Sequence, residues 1–161
     1  MAQIMRESLT EILGLKDIVR TGWVRNDVKN PESVAAHSWG MAILALKLTP
    51  KELDLSKVLS LCLVHDIPEV RVGDLTPHDD CSTKAEDEFK AMKELAPEWL
   101  SLFQEYEMGE TEEAKFVKQL DKLDMGLQAM IYESKQDLDL SEFKSSALSK
   151  ISNLELSSLI I

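Results

Sequence analysis

The side chains able to do chemistry concentrate in Leu61–Asp74, which reads Leu-Cys-Leu-Val-His-Asp-Ile-Pro-Glu-Val-Arg-Val-Gly-Asp. An apolar run ends there on His65-Asp66, with Glu69 and Asp74 just beyond. An ionised carboxylate buried beside imidazole is costly unless something positive compensates it. A divalent ion is a compact way to supply that charge. Two further groups fit the same purpose. His37 falls within the apolar stripe Val34, Met41, Leu44, Ala45 and Leu48, so it points inward. Asp121 lies at the margin of the apolar face formed by Phe116, Val117, Leu120, Leu123 and Leu127. Asp124 is placed similarly, and helical spacing alone does not separate the two. Imidazole with carboxylate suits Mn, Fe, Co, Ni or Zn, with Mg also open. Such an ion polarises a phosphoryl oxygen and lowers the pKa of bound water.

The elements that must hold these groups read as helices. No Asn-Gly or Asp-Gly hairpin turn occurs and no long alternating strand pattern. The expectation is an all-α fold, a single compact helical bundle of six or seven helices. The spacing predicts a first helix over Ile4–Val19, in which Ser8 and Glu11 have capping-box spacing. A loop with Gly, Asn and Pro punctuation follows over Arg20–Pro31, carrying Arg20, Trp23 and Arg25. Ser33 is placed to cap the helix of His37, and Asp54 or Ser56 the helix leading into His65. Pro68 must end or kink that helix, leaving Glu69 near the start of a new turn. Thr83 and Glu86 have the spacing of a second capping box. Pro97 opens a short amphipathic helix that Gly109 closes, the longest helix spans Thr111–Lys135, and a last one starts at Ser141. One domain over residues 1–161 is expected, with its motif-bearing core at 15–133 and a C-terminal helix and tail at 134–161.

Bulk properties narrow the function classes. The chain has 161 residues, 44% of them hydrophobic, and a formal charge of −11. That balance suits a globular fold and argues against a long basic track for a nucleic-acid polymer. A small anionic ligand would need a local cation. Cys62 and Cys81 form no metal-ribbon or CxxC spacing, so a reducing cytoplasm is expected. The first residues hold no continuous apolar stretch of the signal-peptide kind, and no run approaches membrane-spanning length.

The order His37, then His65-Asp66, then Asp121 resembles the HD-domain superfamily of metal-dependent phosphohydrolases. The local strings Asn30–His37, His65–Pro77 and Glu113–Lys122 are similar to those of the YfbR-type 5′-deoxynucleotidase group and its eukaryotic and archaeal relatives. The likeness runs from Leu15 to Glu133. A His-Asp pair alone is uninformative, since His78-Asp79 also matches it. The ordered set with HDxxExxxGD is specific, and the absence of a GYP motif argues against the cyclic-dinucleotide branch.

The resemblance implies a divalent metal held by His37, His65, Asp66 and Asp121, favouring Asp121 over Asp124. It implies Glu69 as the acid, base or water-orienting carboxylate, acting with Asp66. Asp74 and the Leu75 backbone would contact nucleotide or, with Glu69, a second ion. Trp23 matches a substrate-loop tryptophan, although a large aromatic also serves as a core anchor. Glu69 likewise has a plain reading as a helix-start carboxylate stabilised by the helix dipole. The bacterial enzymes place an arginine immediately before that tryptophan, whereas this chain has Gly22, so Arg20 or Arg25 would receive the phosphate. The implied activity is hydrolysis of nucleoside 5′-monophosphates, with a small-molecule nucleotide as partner and a homodimer as assembly. Alternatives are another phosphate ester, or a non-catalytic metal-bound nucleotide sensor.

Overall fold

A computed structural model describes residues 1–161, and it is all-α, with one isolated antiparallel bridge between Val19 and Ser33. The helices are α1 (Ala2–Leu13), α2 (Thr21–Arg25), α3 (Val34–Leu48), α4 (Leu55–Val64), α5 (Glu69–Val72), α6 (Lys84–Leu95), α7 (Leu100–Met108), α8 (Glu112–Lys135), α9 (Ser141–Lys150) and α10 (Leu154–Ser157). Short 3-10 turns occupy Gly14–Asp17 and Pro97–Trp99. The number exceeds six or seven because α2, α5 and α10 are only four or five residues long. Helices of one turn carry too little periodicity to be read from a sequence.

The caps explain where the site-bearing helices begin. Ser33 accepts the amide of Ala36 at the start of α3, Asp54 that of Lys57 at α4, and Thr111 that of Ala114 at α8. The two expected capping boxes do not form. Ser8 lies inside α1 and its hydroxyl donates to the Leu95 carbonyl at 2.5 Å, while Glu11 pairs with Arg71 at 2.6 Å. Thr83 donates to Asp87 instead of capping α6. Distant partners displace the first box, and a local side-chain bond displaces the second. The first helix also stops earlier than the spacing suggests, passing at Gly14 into the tighter turn.

The frame of the site is α3, α4 and α8, packed around Met41, Ala45, Val58, Leu61, Cys62, Val117, Leu120 and Leu123. Burying each of the Val, Leu and Met side chains contributes roughly 1.5–3 kcal/mol before chain entropy is subtracted. The helix α9 lies along α8, and the tail returns to the same core through Leu156 and Ile160. A separate cluster of Trp23, Val28, Ala129, Tyr132 and Leu140 ties α2 to the far end of α8.

Candidate active site

Each candidate ligand is delivered by a different part of that frame. The fourth residue after the Ser33 cap is His37, on the buried face of α3. His65 follows the last residue of α4, where Pro68 prevents continuation. Asp121 and Asp124 project from α8 one turn apart.

His37 is fully buried, with one carboxylate at each ring nitrogen. Its Nε2 lies 3.0 Å from Asp121 Oδ1 and 3.9 Å from Asp66 Oδ2. Its Nδ1 lies 2.7 Å from Asp124 Oδ2. His65 donates from Nδ1 to the Cys62 carbonyl at 2.9 Å, which leaves a lone pair on Nε2. That Nε2 is 3.0 Å from Asp66 Oδ2 but poorly aligned with it, so it is buried with no hydrogen-bond partner. Glu69 is buried too, with its Oε2 unpartnered. Buried polar atoms without partners are uncommon and mark a missing ligand or a catalytic role.

The ligand atoms of His37, His65 and Asp121 lie within 4.8 Å of one another. Donors on opposite sides of one ion are up to about 4.4 Å apart at bond lengths of about 2.2 Å. Two imidazoles, two carboxylates and an orphaned Nε2 therefore fit a divalent transition metal. The literal pair His78-Asp79 does not: His78 is exposed, and Asp79 bonds Arg25 and Thr76.

Electrostatics follow from burial. Glu69 is pushed up to about 9 by desolvation and by the charges of Asp66 and Asp74, against Arg20 and Lys84. Desolvation also opposes ionisation of Asp66 and Asp121, but both are held below the usual carboxylate range, Asp66 by His65, His37 and Arg20, and Asp121 by His37, Lys122 and His65. Burial and Arg20 push His37 down, yet its bonds to Asp121 and Asp124 prevail and raise it to about 9.

Arg20 places its guanidinium 4.0 Å from Asp66 and 3.8 Å from Asp74. Asp74 also accepts the Thr21 amide at 2.6 Å, locking the start of α2. Gly73, at a φ of 85°, makes the turn that brings Asp74 there, a conformation a Cβ disfavours. Arg25 points elsewhere, to Thr76 at 2.5 Å and Asp79 at 2.6 Å. Trp23 is 1% exposed, packed edge-on against Tyr132 and at a tilt against Phe143, with its indole N–H donating to Glu32 at 3.0 Å. A Cβ at Gly22 would press on Phe143 at 3.3 Å.

A cavity of about 690 Å³ opens over these groups, bordered by Arg20, His65, Asp66, Glu69, Leu75 and Asp121. Its lining adds groups that sequence reading did not single out: Lys118 and Lys122 from α8, the latter 2.7 Å from Asp121, and Phe143 and Lys150 from α9. Lys118 and Lys122 flank Asp121 at i, i+4 spacing, which was a readable signal. The approach of α9 was not.

The HD domain family model matches residues 12–159. The 5′-deoxynucleotidase HDDC2 of Mus musculus is 39% identical over 158 residues, covering 91% of this chain and 79% of its own. The 5′-deoxynucleotidase hdd1 of Schizosaccharomyces pombe is 39% identical over 145 residues, covering 80% and 73%. Among solved structures, a Pyrococcus horikoshii OT3 protein superposes with a TM-score of 0.83 at 35% identity, over 94% of this chain and 91% of that one. A predicted metal-dependent phosphohydrolase from Magnetospirillum magnetotacticum MS-1 gives a TM-score of 0.77 at 28% identity, over 99% and 88%.

Proposed function

The chain belongs to the HD domain family, and from that premise we propose that it is a metal-dependent phosphomonoesterase converting (deoxy)ribonucleoside 5′-monophosphates to nucleoside and phosphate. The observation that carries the reading is the buried cluster of His37, His65, Asp66 and Asp121 beside an unpartnered Glu69. The curated relatives, named as 5′-deoxynucleotidases, supply the substrate class.

His37 and His65 through Nε2, with Asp66 and Asp121, would hold a divalent ion: Mn, Co, Mg, Zn, Ni or Fe. When bound, the ion polarises a phosphoryl oxygen and lowers the pKa of a coordinated water. Glu69, on which burial favours a proton in the metal-free protein, would give that proton up on metal binding. Its carboxylate then orients the attacking water and takes its proton as the water oxygen bonds to phosphorus. The P–O5′ bond breaks, and the proton ends on the departing 5′ oxygen. Arg20, supported by Asp66 and Asp74, neutralises the phosphate. Arg25 organises the loop that bears Thr76 and Asp79. Asp74 and Leu75 face the nucleotide or, with Glu69, a second ion, and Trp23 supports the substrate loop from beneath.

The whole chain works as one HD domain, supported by the packing of α9 and α10 on α8. The exposed Trp39, Ile43 and Leu46 share one face of α3, which supports assembly as a homodimer. No helix is long and apolar enough to cross a membrane. The free thiols of Cys62 and Cys81 suit a reducing cytoplasm.

The test is phosphate release by metal-stripped protein resupplied with Mn, Co, Mg or Zn, offered paired ribo- and deoxyribonucleoside 5′-monophosphates. Metal-dependent release that vanishes in His65→Ala is the expected result. Metal binding with no release from any nucleotide contradicts the assignment and points to another ester or to a sensor.

A further inference from the structure

We propose that Asp124 is the positioning residue of the metal centre, holding His37 through Nδ1 so that Nε2 presents its lone pair, and that Gly40 exists to let it reach. The inference rests on the metal-centre reading above. Asp121 and Asp124 stand one turn apart on α8 and grip opposite nitrogens of a single imidazole, at 3.0 and 2.7 Å. The Nε2 edge faces Asp66 and lies with His65 Nε2 and Asp121. The Nδ1 edge faces away from them, so Asp124 sits behind the ring.

A carboxylate on Nδ1 keeps the proton there and leaves Nε2 free to ligate, and it raises the basicity of that nitrogen. His65 is arranged in parallel, with the Cys62 carbonyl doing the same for its Nδ1. Both imidazoles are thus set in the same tautomer by a partner outside the cluster. Glu32, His37 and Asp124 also come together as a potential ligand trio. Asp124 already occupies Nδ1, however, and Glu32 takes the indole N–H of Trp23, so the trio buttresses the ring and holds no second ion.

Gly40 gives an independent indication. It lies inside α3, where glycine costs about 1 kcal/mol relative to alanine. A Cβ on Gly40 would overlap Asp124 Oδ1 and crowd the whole carboxylate. The helix gives up stability at the one point where Asp124 crosses it to reach His37.

The experiment is titration of the metal-stripped full chain with Co²⁺, read by its visible absorption, for wild type, Asp124→Asn and Gly40→Ala. The amide can offer Nδ1 a donor in place of an acceptor and so favours the wrong tautomer. The alanine leaves Asp124 in the sequence and improves helix propensity, so lost affinity there reports displacement of the carboxylate and not a weakened helix. Each variant is expected to bind Co²⁺ about 10–100-fold more weakly. In the Zn²⁺-loaded protein the His37 Nδ1–H proton should resonate at the low field of a hydrogen bond to a carboxylate and shift upfield in Asp124→Asn, a change that a merely packing role would not produce. Affinities within twofold of wild type in both variants, or a His37 Nδ1–H resonance unchanged in Asp124→Asn, overturn the proposal. A wild-type chain that binds no Co²⁺ overturns the metal-centre reading and this proposal with it, whereas normal wild-type binding with unaffected variants removes Asp124 alone.

Discussion

Two arginines on one loop lead to different ends. Arg20 sits among Asp66, Asp74, Asp121 and Glu69, whose charges raise its pKa although burial opposes them. Arg25 spends its donors on Thr76 and Asp79. Phosphate neutralisation therefore falls to Arg20. Arg20→Ala should lower kcat/KM by about 10²–10³, the usual cost of losing one preorganised donor at a reacting group. Arg25→Ala should cost less than about tenfold, because it loosens a loop without removing a charge from the reaction. Steady-state kinetics on one deoxynucleoside monophosphate compares them, and a larger loss in Arg25→Ala would reverse the assignment. The sequence left both arginines open, because a loop with no periodicity does not say which way a side chain turns. His37 and His65 were legible for the opposite reason: each lies on an apolar stripe that dictates its direction. Asp121 and Asp124 were not separable by spacing; the resemblance favoured Asp121, and in the structure each meets a different nitrogen of His37.

At the scale of elements, α8 carries both aspartates, so its start matters more than its length. Thr111 accepts the Ala114 amide at 3.2 Å and donates to Glu105 at 2.6 Å. Thr111→Ala should destabilise the protein by about 1 kcal/mol and lower Tm by about 2–4 °C. Thermal denaturation measures this, and an unchanged Tm would show that α8 starts without its cap. The long helices, the Ser33 and Asp54 caps and the break at Pro68 were all readable, because each is a local preference that packing reinforces. The new turn expected at Glu69 forms as α5, whereas α2, α10 and the 3-10 turn at Gly14–Asp17 were not readable, since segments that short carry no periodicity. The failed capping boxes teach the same lesson. Ser8 and Thr83 have the right spacing, but Ser8 finds the distant Leu95 carbonyl and Thr83 the neighbouring Asp87 carboxylate in place of the cap bonds.

Across the whole molecule, the buried site makes stability depend on pH. In the metal-free protein Glu69 and His37 are both raised to about 9, from ordinary values of 4.5 and 6.5. The folded chain then holds protons that the unfolded chain has released, so the stability they confer is full below those ordinary values and fades as pH rises toward 9. Asp66 and Asp121 act with the opposite sign, but only in the acid range. Metal-free protein should therefore be less stable to urea at pH 9 than at pH 6, and saturating metal should add more stability at the higher pH, where fewer protons must leave. A flat profile from pH 6 to 9 would contradict this electrostatic picture. The same cluster also decides between catalyst and sensor, since a binder has no need of a buried, unpartnered Glu69. The most direct measurement is phosphate release and metal content in Glu69→Gln, which removes the proton acceptor and keeps the shape. The account predicts a full complement of metal with turnover reduced at least about 10²-fold, the low end of what a general base supplies. Wild-type turnover in that variant would contradict it.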